Sequence, residues 1–384
     1  MARFEFCGAC AVTLSVAFLC ACGGSGNSSD LSSDPGTDSG VADVPLDVPA
    51  EVAADVPLDV PAEVAADVPI GPICRGDVCA ASEDHAPDPM AFGPFAVGLR
   101  KFEWVNEDDK YDDGTPRKVV VEVWYPTTEA FRDKPKFAYD LMEDGPAELK
   151  EKFAGVDVGT FPVEAVKDAP VRRDAGRFPL VLFSHGAYGI RYQSVFFTVQ
   201  LASHGYVVAS PDHERNTLYD IILKGYDGST LGDSALRRPR DMVHVIKRIT
   251  ALNEDPSSDF NGVVSLDEIG MSGHSFGGYN CFATAVAEPR VKVIVPMAPA
   301  AYLAPMLGIF FPEWHMPTLM MGGELDNTLD YQQACKGPYD EMGGPKWLLD
   351  LKRGGHYTFS DICRLDLAEL VKQYPDAEDA LGDG

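Results

Sequence analysis

From residue 178 to residue 351 the chain alternates short apolar runs with longer stretches of helical period. That alternation restricts the fold more than any other feature. Residues 178–184 (FPLVLFS), 206–210, 268–273, 291–297, 318–322 and 347–351 read as strands, and 192–204, 236–253, 276–287 and 328–342 read as helices between them. Continuous apolar strands are buried on both faces. Strands joined through helices run parallel, by right-handed crossovers. The pattern predicts an α/β fold: a mostly parallel sheet with helices on both faces and, where strand meets helix, a nucleophile elbow. Two earlier strands, 95–105 and 118–125, flank an acidic turn, NEDDKYDDG. Asp109, Asp113 and Gly114 have the spacing of an EF-hand loop, but Tyr111 and Val120 stand where ligands belong, so a hairpin is the expectation.

Reactive groups in such sheets gather beyond the carboxyl ends of the strands. Gly273-His274-Ser275-Phe276-Gly277-Gly278 lies there, and it is the one Gly-x-Ser-x-Gly in the chain. A sharp turn from strand to helix exposes the serine, glycines relieve the crowding, and the helix N-terminus favours negative charge. The plain alternative is a glycine-rich turn with a capping serine. A nucleophile needs a base and an acid, in the chain order serine, acid, histidine. Only His315 and His356 follow Ser275. His356, after Gly354-Gly355 and past the last strand, is the expected base, and His315, ahead of a strand, suits a core or pocket wall. Asp326 in Gly322-Gly323-Glu324-Leu325-Asp326 is the expected acid, with Glu324 and Asp330 as alternatives. His356 would take the Ser275 proton during attack on an ester and return it to the leaving alcohol. The backbone N–H groups of Phe276 and Ala187 would hold the oxyanion, with His185 packing the loop 184–189.

These stretches as a set resemble a known family. VEVWYP, FPLVLFSHG, LASHGYVVASPDHE, RRPRDM, GHSFGG and GGHYTFSD cover most of 95–365 and are similar to α/β-hydrolases of the platelet-activating-factor acetylhydrolase and dienelactone-hydrolase-like group, which includes bacterial cutinase-like polyester hydrolases. The resemblance implies an α/β-hydrolase fold and serine ester chemistry. Two departures leave the substrate open. The acetylhydrolase takes its acid after the strand that follows the elbow helix, where this chain has Met297-Ala298-Pro299, and Asp326 matches the cutinase-like position instead. Dienelactone hydrolase has a cysteine nucleophile where Ser275 stands. Residues 302–315 (YLAPMLGIFFPEWH) could line an acyl pocket, form a small lid or pack in the core. No large cap is inserted, which favours small or accessible esters: a small-molecule, lipid or polymer substrate. A serine peptidase on the same fold and a non-catalytic binding protein are the rival functions.

The first 90 residues have a different character. Residues 6–21 form an apolar segment of signal-peptide length ending Leu19-Cys20-Ala21-Cys22-Gly23. The ending resembles a bacterial lipobox, which implies a signal peptide over 1–21, lipidation of Cys22 and anchoring to the cell envelope, with the outer membrane preferred and plain secretion as the alternative. Residues 22–73 read as a flexible acidic stalk in which ADVPLDVPAEVA occurs twice in tandem. Residues 74–90 read as a linker whose Cys74 and Cys79 suit a small disulfide loop, and 91–384 as the catalytic domain. Cys335 and Cys363 each follow a proposed triad loop, so export makes a Cys335–Cys363 bridge a second candidate, while Cys281 reads as a buried free thiol. Net charge is −27, and ten acids with no Lys or Arg between 23 and 70 leave −17 on the rest. Nucleic acid is excluded as a partner, because no basic surplus exists to displace phosphate counterions. No zinc-like Cys/His spacing occurs, and the chemistry requires no metal or organic cofactor.

Overall fold

Nine strands build the main sheet: β1 (Ala96–Lys110), β2 (Pro116–Thr127), β3 (Val166–Lys167), β4 (Phe178–Ser184), β5 (Val207–Pro211), β6 (Val264–His274), β7 (Val291–Met297), β8 (Thr318–Gly323) and β9 (Lys346–Leu351). The computed structural model describes residues 91–364 and the backbone pairing of Cys74–Arg75 with Val78–Cys79. The leader, Cys22, the repeats and residues 365–384 lie outside the described residues. Spatial order is β9-β8-β7-β6-β4-β5-β2-β1-β3. The six strands from β9 to β5 are parallel, while β2 runs antiparallel to β5 and β1. Both β1 and β2 exceed their expected lengths, because the hairpin ladder continues to the turn at Tyr111–Gly114.

Four helices cover the sheet: α1 (Val195–Ser203), α2 (Leu218–Lys224), α3 (Thr230–Glu254) and α4 (Phe276–Ala287). On one face, Met242, Val245, Ile246 and Ile249 of α3 and Cys281 and Phe282 of α4 pack on Val121, Leu180, Leu182 and Ile294. On the other, Val195 and Val199 of α1 and Leu218 and Ile222 of α2 pack on Trp124 and Val208. Burying one such side chain fully contributes about 1.5–3 kcal/mol. Pro239 lies inside α3 and cannot donate to the carbonyl of Ala235. The Tyr279 hydroxyl of α4 donates to that carbonyl instead, at 3.3 Å.

Between β2 and β3 a small unit not expected from sequence pairs Ala138–Asp140 with Thr160–Pro162. Its Tyr139 stacks on Tyr192, with ring centroids 4.3 Å apart. The helix expected at 328–342 is broken into a wide turn, Gln332–Lys336, and a short helix, Gly337–Glu341, where Gly337 and Pro338 interrupt the regular ladder.

Register sets up the site. His274 pairs with Met297, Met297 with Met321, and Gly323 with Leu351. The carboxyl ends of β6, β7, β8 and β9 are therefore level, and the loops after them leave from one edge.

Candidate active site

The turn after β6 is tightly built. Ser275 has φ 56 and ψ −116, outside the ordinary basins of an L-residue, which costs about 1–3 kcal/mol. Its N–H donates to Met297 O at 2.9 Å, and its carbonyl accepts from Tyr279 N at 3.2 Å and Ala300 N at 3.0 Å. A Cβ at Gly277 would collide with the Ser184 carbonyl, and one at Gly273 would stand 2.6 Å from the Gly277 carbonyl carbon. Glycine is needed at both because backbone passes against backbone. Ser275 itself stays partly open to solvent.

Two loops bring an acid to a histidine. His356 opens a short 3₁₀ turn, His356–Phe359, after β9. Its Nδ1 lies 2.7 Å from Asp326 Oδ2, and both side chains are buried. The other oxygen, Asp326 Oδ1, accepts from Thr328 N at 3.0 Å and Leu329 N at 2.8 Å. Leu325 N donates to Gly354 O at 2.9 Å, tying the acid loop to the histidine loop. Beyond His356 the chain is moored on α1: Ser194 Oγ donates to Phe359 O at 2.7 Å, and Asp361 Oδ2 accepts from Phe196 N at 2.8 Å. The alternatives are engaged elsewhere. Glu324 pairs with exposed Lys352, and Asp330 caps Gln333 N. The end of β7, Met297, and the Ala298-Pro299 that follow it carry no carboxylate.

The loop after β4 abuts the elbow. A Cβ on Gly186 would lie 3.4 Å from Ser275 Cβ. Ala187 packs with Phe276 in one apolar cluster. His185 is buried, as expected; its Nδ1 donates to Gly186 O at 2.7 Å, and its Nε2 accepts from His213 N at 3.1 Å. One chain of hydrogen bonds crosses the whole site. Gly186 N donates to Gln193 Oε1 (3.0 Å), Gln193 Nε2 to His274 Nδ1 (2.8 Å), and His274 Nε2 to His356 O (2.9 Å). Only a neutral, Nε2-protonated His274 fits between that donor and that acceptor. Burial, and then neighbouring His356, hold its pKa well below the usual histidine value.

Beneath the loop lies a second serine, histidine and aspartate that sequence reasoning missed. Ser184 Oγ donates to His213 Nε2 at 2.8 Å, His213 Nδ1 donates to Asp241 Oδ2 at 2.7 Å, and Asp241 takes a bidentate ion pair from Arg117 at 2.6 and 2.9 Å. The pattern is that of a triad, but Ser184, His213 and Asp241 are each 0% exposed, so it serves as internal scaffold. The local pattern marked it weakly: Arg238 and Asp241 share a face of α3 with Met242 and Val245, but also with polar Ser234.

Two expectations are corrected. Cys335 is a free, buried thiol, so no bridge joins it to Cys363. Cys335 packs against Gly322 on the α3/α4 side of the sheet, whereas Ile362, next to Cys363, packs on the α1/α2 side. Burial pushes the Cys335 thiol up to about 12. His315 is exposed rather than part of a core or pocket wall. Residues 302–315 divide between the roles considered: Ala304, Phe311 and Trp314 are core, while Met306 and Phe310 face solvent. Cys281 is buried and free, as expected. Cys74 and Cys79 are direct partners in a backbone ladder, and their side chains lie outside the described residues. Among the described residues no cluster of three or more His, Cys, Asp or Glu is arranged to hold a metal, and no helix is long and apolar enough to cross a membrane.

A family model described as PET hydrolase-like matches residues 174–372, a span that contains Ser275, Asp326 and His356. The chain belongs to the PET hydrolase-like family. A second model, platelet-activating factor acetylhydrolase isoform II, matches 80–219 and stops before the elbow. Platelet-activating factor acetylhydrolase from Bos taurus is 24% identical over 263 residues, 56% of this chain and 55% of the bovine protein. The enzyme of that name from Canis lupus familiaris is 20% identical over 336 residues, 74% of this chain and 70% of its own. Cutinase est2 of Thermobifida alba is 23% identical over 197 residues, 48% of this chain and 55% of the cutinase. The chain thus spans about half the length of the bovine and Thermobifida relatives. The solved structure of a ferulic acid esterase from Streptomyces cinnamoneus superposes with a TM-score of 0.52 at 22% identity, over 74% of this chain and 83% of that one, which establishes the α/β-hydrolase fold. This PET hydrolase-like chain is thus similar to platelet-activating factor acetylhydrolases, a cutinase and a ferulic acid esterase.

Proposed function

We propose that the protein is a serine esterase of the bacterial cell envelope that acts through an acyl-enzyme on short-chain or accessible esters. Ser275 is the nucleophile, His356 the base and Asp326 the acid that orients it. Ser275 Oγ attacks the ester carbonyl carbon while His356 Nε2 takes its proton. The negative oxygen so formed is held by the N–H groups of Phe276 and Ala187. Collapse breaks the carbon–oxygen bond to the alcohol, which leaves with the proton from His356. Water, deprotonated by the same nitrogen, then releases the acid and restores Ser275.

The observation that carries this reading is the buried 2.7 Å contact between His356 Nδ1 and Asp326 Oδ2, on loops level with a strained, partly open Ser275. The free N–H of Ala187 supports it too: among the described residues it meets no backbone or side-chain acceptor. For the substrate, the support is the apolar turn after β7. Tyr302, Met306, Leu307 and Phe310 are exposed there, and Leu325 is 63% exposed next to Asp326. Such surface favours an uncharged acyl group or a polymer chain over a strongly ionic substrate. Lipidation at Cys22, with the repeats as a tether, would set the domain off from the membrane surface.

Hydrolysis of p-nitrophenyl esters of rising acyl length, with Ser275→Ala beside the wild type, tests the activity. Acetate to hexanoate should be turned over, and the variant should lose on the order of 10⁶ in rate. Loss under tenfold would move the nucleophile elsewhere. Palmitate labelling of cells should tag the wild type and not Cys22→Ser; equal labelling would refute the anchor.

A further inference from the structure

Arg238 of α3 is 0% exposed, and no carboxylate among the described residues forms an ion pair with it. The nearest acid on its own helix, Asp241, is taken by Arg117 and His213. A buried charge held by neutral acceptors is a costly arrangement. Burial pulls this guanidinium down to about 9, and it remains charged at neutral pH.

What it grips is the back of the oxyanion loop. Nη1 donates to His185 O at 2.5 Å, and Nη2 donates to Gly186 O at 2.9 Å and to Asn216 Oδ1 at 2.5 Å. The guanidinium carbon also lies 4.7 Å from the centroid of the Phe276 ring. No described peptide bond is cis. In a trans peptide the N–H points opposite the preceding C=O. Drawing the Gly186 carbonyl back toward Arg238 therefore turns the Ala187 N–H away from α3. The same side chain steadies Phe276, whose N–H is the other proposed donor.

We propose that Arg238 is a positioning residue for ester hydrolysis, one fork that aims both oxyanion donors by holding two loop carbonyls and the Phe276 ring. The inference rests on the proposed oxyanion roles of Ala187 and Phe276. Lysine keeps the charge but offers one compact head in place of a planar fork, so it cannot hold all these groups at once.

The test uses the full chain. Labelling of wild-type Ser275 by a fluorophosphonate, mapped by peptide mass spectrometry, comes first, and its absence would overturn the nucleophile reading and this inference with it. With Ser275 labelled, Arg238→Lys is compared with wild type on p-nitrophenyl acetate and on the matching thionoester, whose carbonyl oxygen is sulfur and a weak hydrogen-bond acceptor. For the oxygen ester kcat should fall on the order of 10²-fold, the scale of one lost donor, with KM nearly unchanged. The thionoester rate should fall far less, so the ratio of the two rates should drop by at least about tenfold. Equal losses on both substrates would assign Arg238 a merely structural role and overturn the inference, as would no loss on either. Should Arg238→Lys not fold, Asn216→Ala removes only the lateral anchor of the guanidinium. It should lower the ratio in the same sense, and an unchanged ratio there also overturns it.

Discussion

Asp326→Asn is the substitution whose outcome the geometry determines most fully. The carboxylate has two distinct sides. Oδ1 accepts two backbone N–H groups, from Thr328 and Leu329, and Oδ2 faces His356 Nδ1 at 2.7 Å. An asparagine must point its oxygen one way and its NH₂ the other. With the oxygen toward Thr328 and Leu329 it keeps two hydrogen bonds and presents donors to His356. Nδ1 then has to accept, the proton moves to Nε2, and the ring cannot take a proton from Ser275. The flipped orientation keeps the tautomer but sets NH₂ against both N–H groups, the exposed one of Thr328, which water can satisfy, and the half-buried one of Leu329, whose loss costs about 1–3 kcal/mol. The first orientation wins, and it is the unproductive one. The expected loss in kcat is about 10⁴, or about 5 kcal/mol of transition-state stabilisation. Steady-state hydrolysis of p-nitrophenyl acetate at pH 8 reads it, with circular dichroism to verify the fold. Glu324→Gln and Asp330→Asn, whose carboxylates serve Lys352 and Gln333, should stay within about tenfold of wild type. An Asp326→Asn enzyme within tenfold of wild type would refute the reasoning, and a large loss at Glu324 would reassign the acid.

Two further outcomes follow from buried groups. Asp241→Asn leaves Arg117 buried without its charge partner and should cost about 3–5 kcal/mol in urea unfolding; a cost below about 1 kcal/mol would show the pair to be dispensable. His274 is held neutral when folded, so its folded pKa lies below the unfolded value, and the unfolded chain gains a proton first as pH falls through the mid-sixes. Stability contributed there is present above that range and lost below it. Between pH 7 and pH 5.5, wild type should lose about 1 kcal/mol more than His274→Gln; parallel curves would contradict the neutral assignment.

The parallel half of the fold was legible because its signals are local. Strands β4 and β7 and helix α4 begin and end where the apolar runs do. Glycine pairs mark both the elbow and the histidine loop, and Asp326 sits just past a strand whose end the apolar run defines. The polar interior was not legible. Arg117, Arg191, Arg238, His213 and Asp241 read as ordinary charged residues, and each is buried because its partners come from distant segments, as Arg117 and Asp241 do across 124 positions. The Cys335–Cys363 expectation failed for a related reason. Both follow loops at one edge of the sheet, but which face each chain turns to after its loop depends on packing that spacing does not encode. The unit between β2 and β3 escaped notice because its strands are three residues long, too short to show a period.

The most direct measurement is acid quenching of the enzyme within milliseconds of mixing with p-nitrophenyl acetate, followed by intact and peptide mass spectrometry. A serine esterase working through Ser275 should be one acetyl group heavier, with the group on the peptide that carries Gly273-His274-Ser275 and a burst of p-nitrophenol matching the enzyme concentration. Turnover with no acetyl on Ser275, or with the group on another residue that Ser275→Ala also acetylates, would contradict the assignment of the nucleophile.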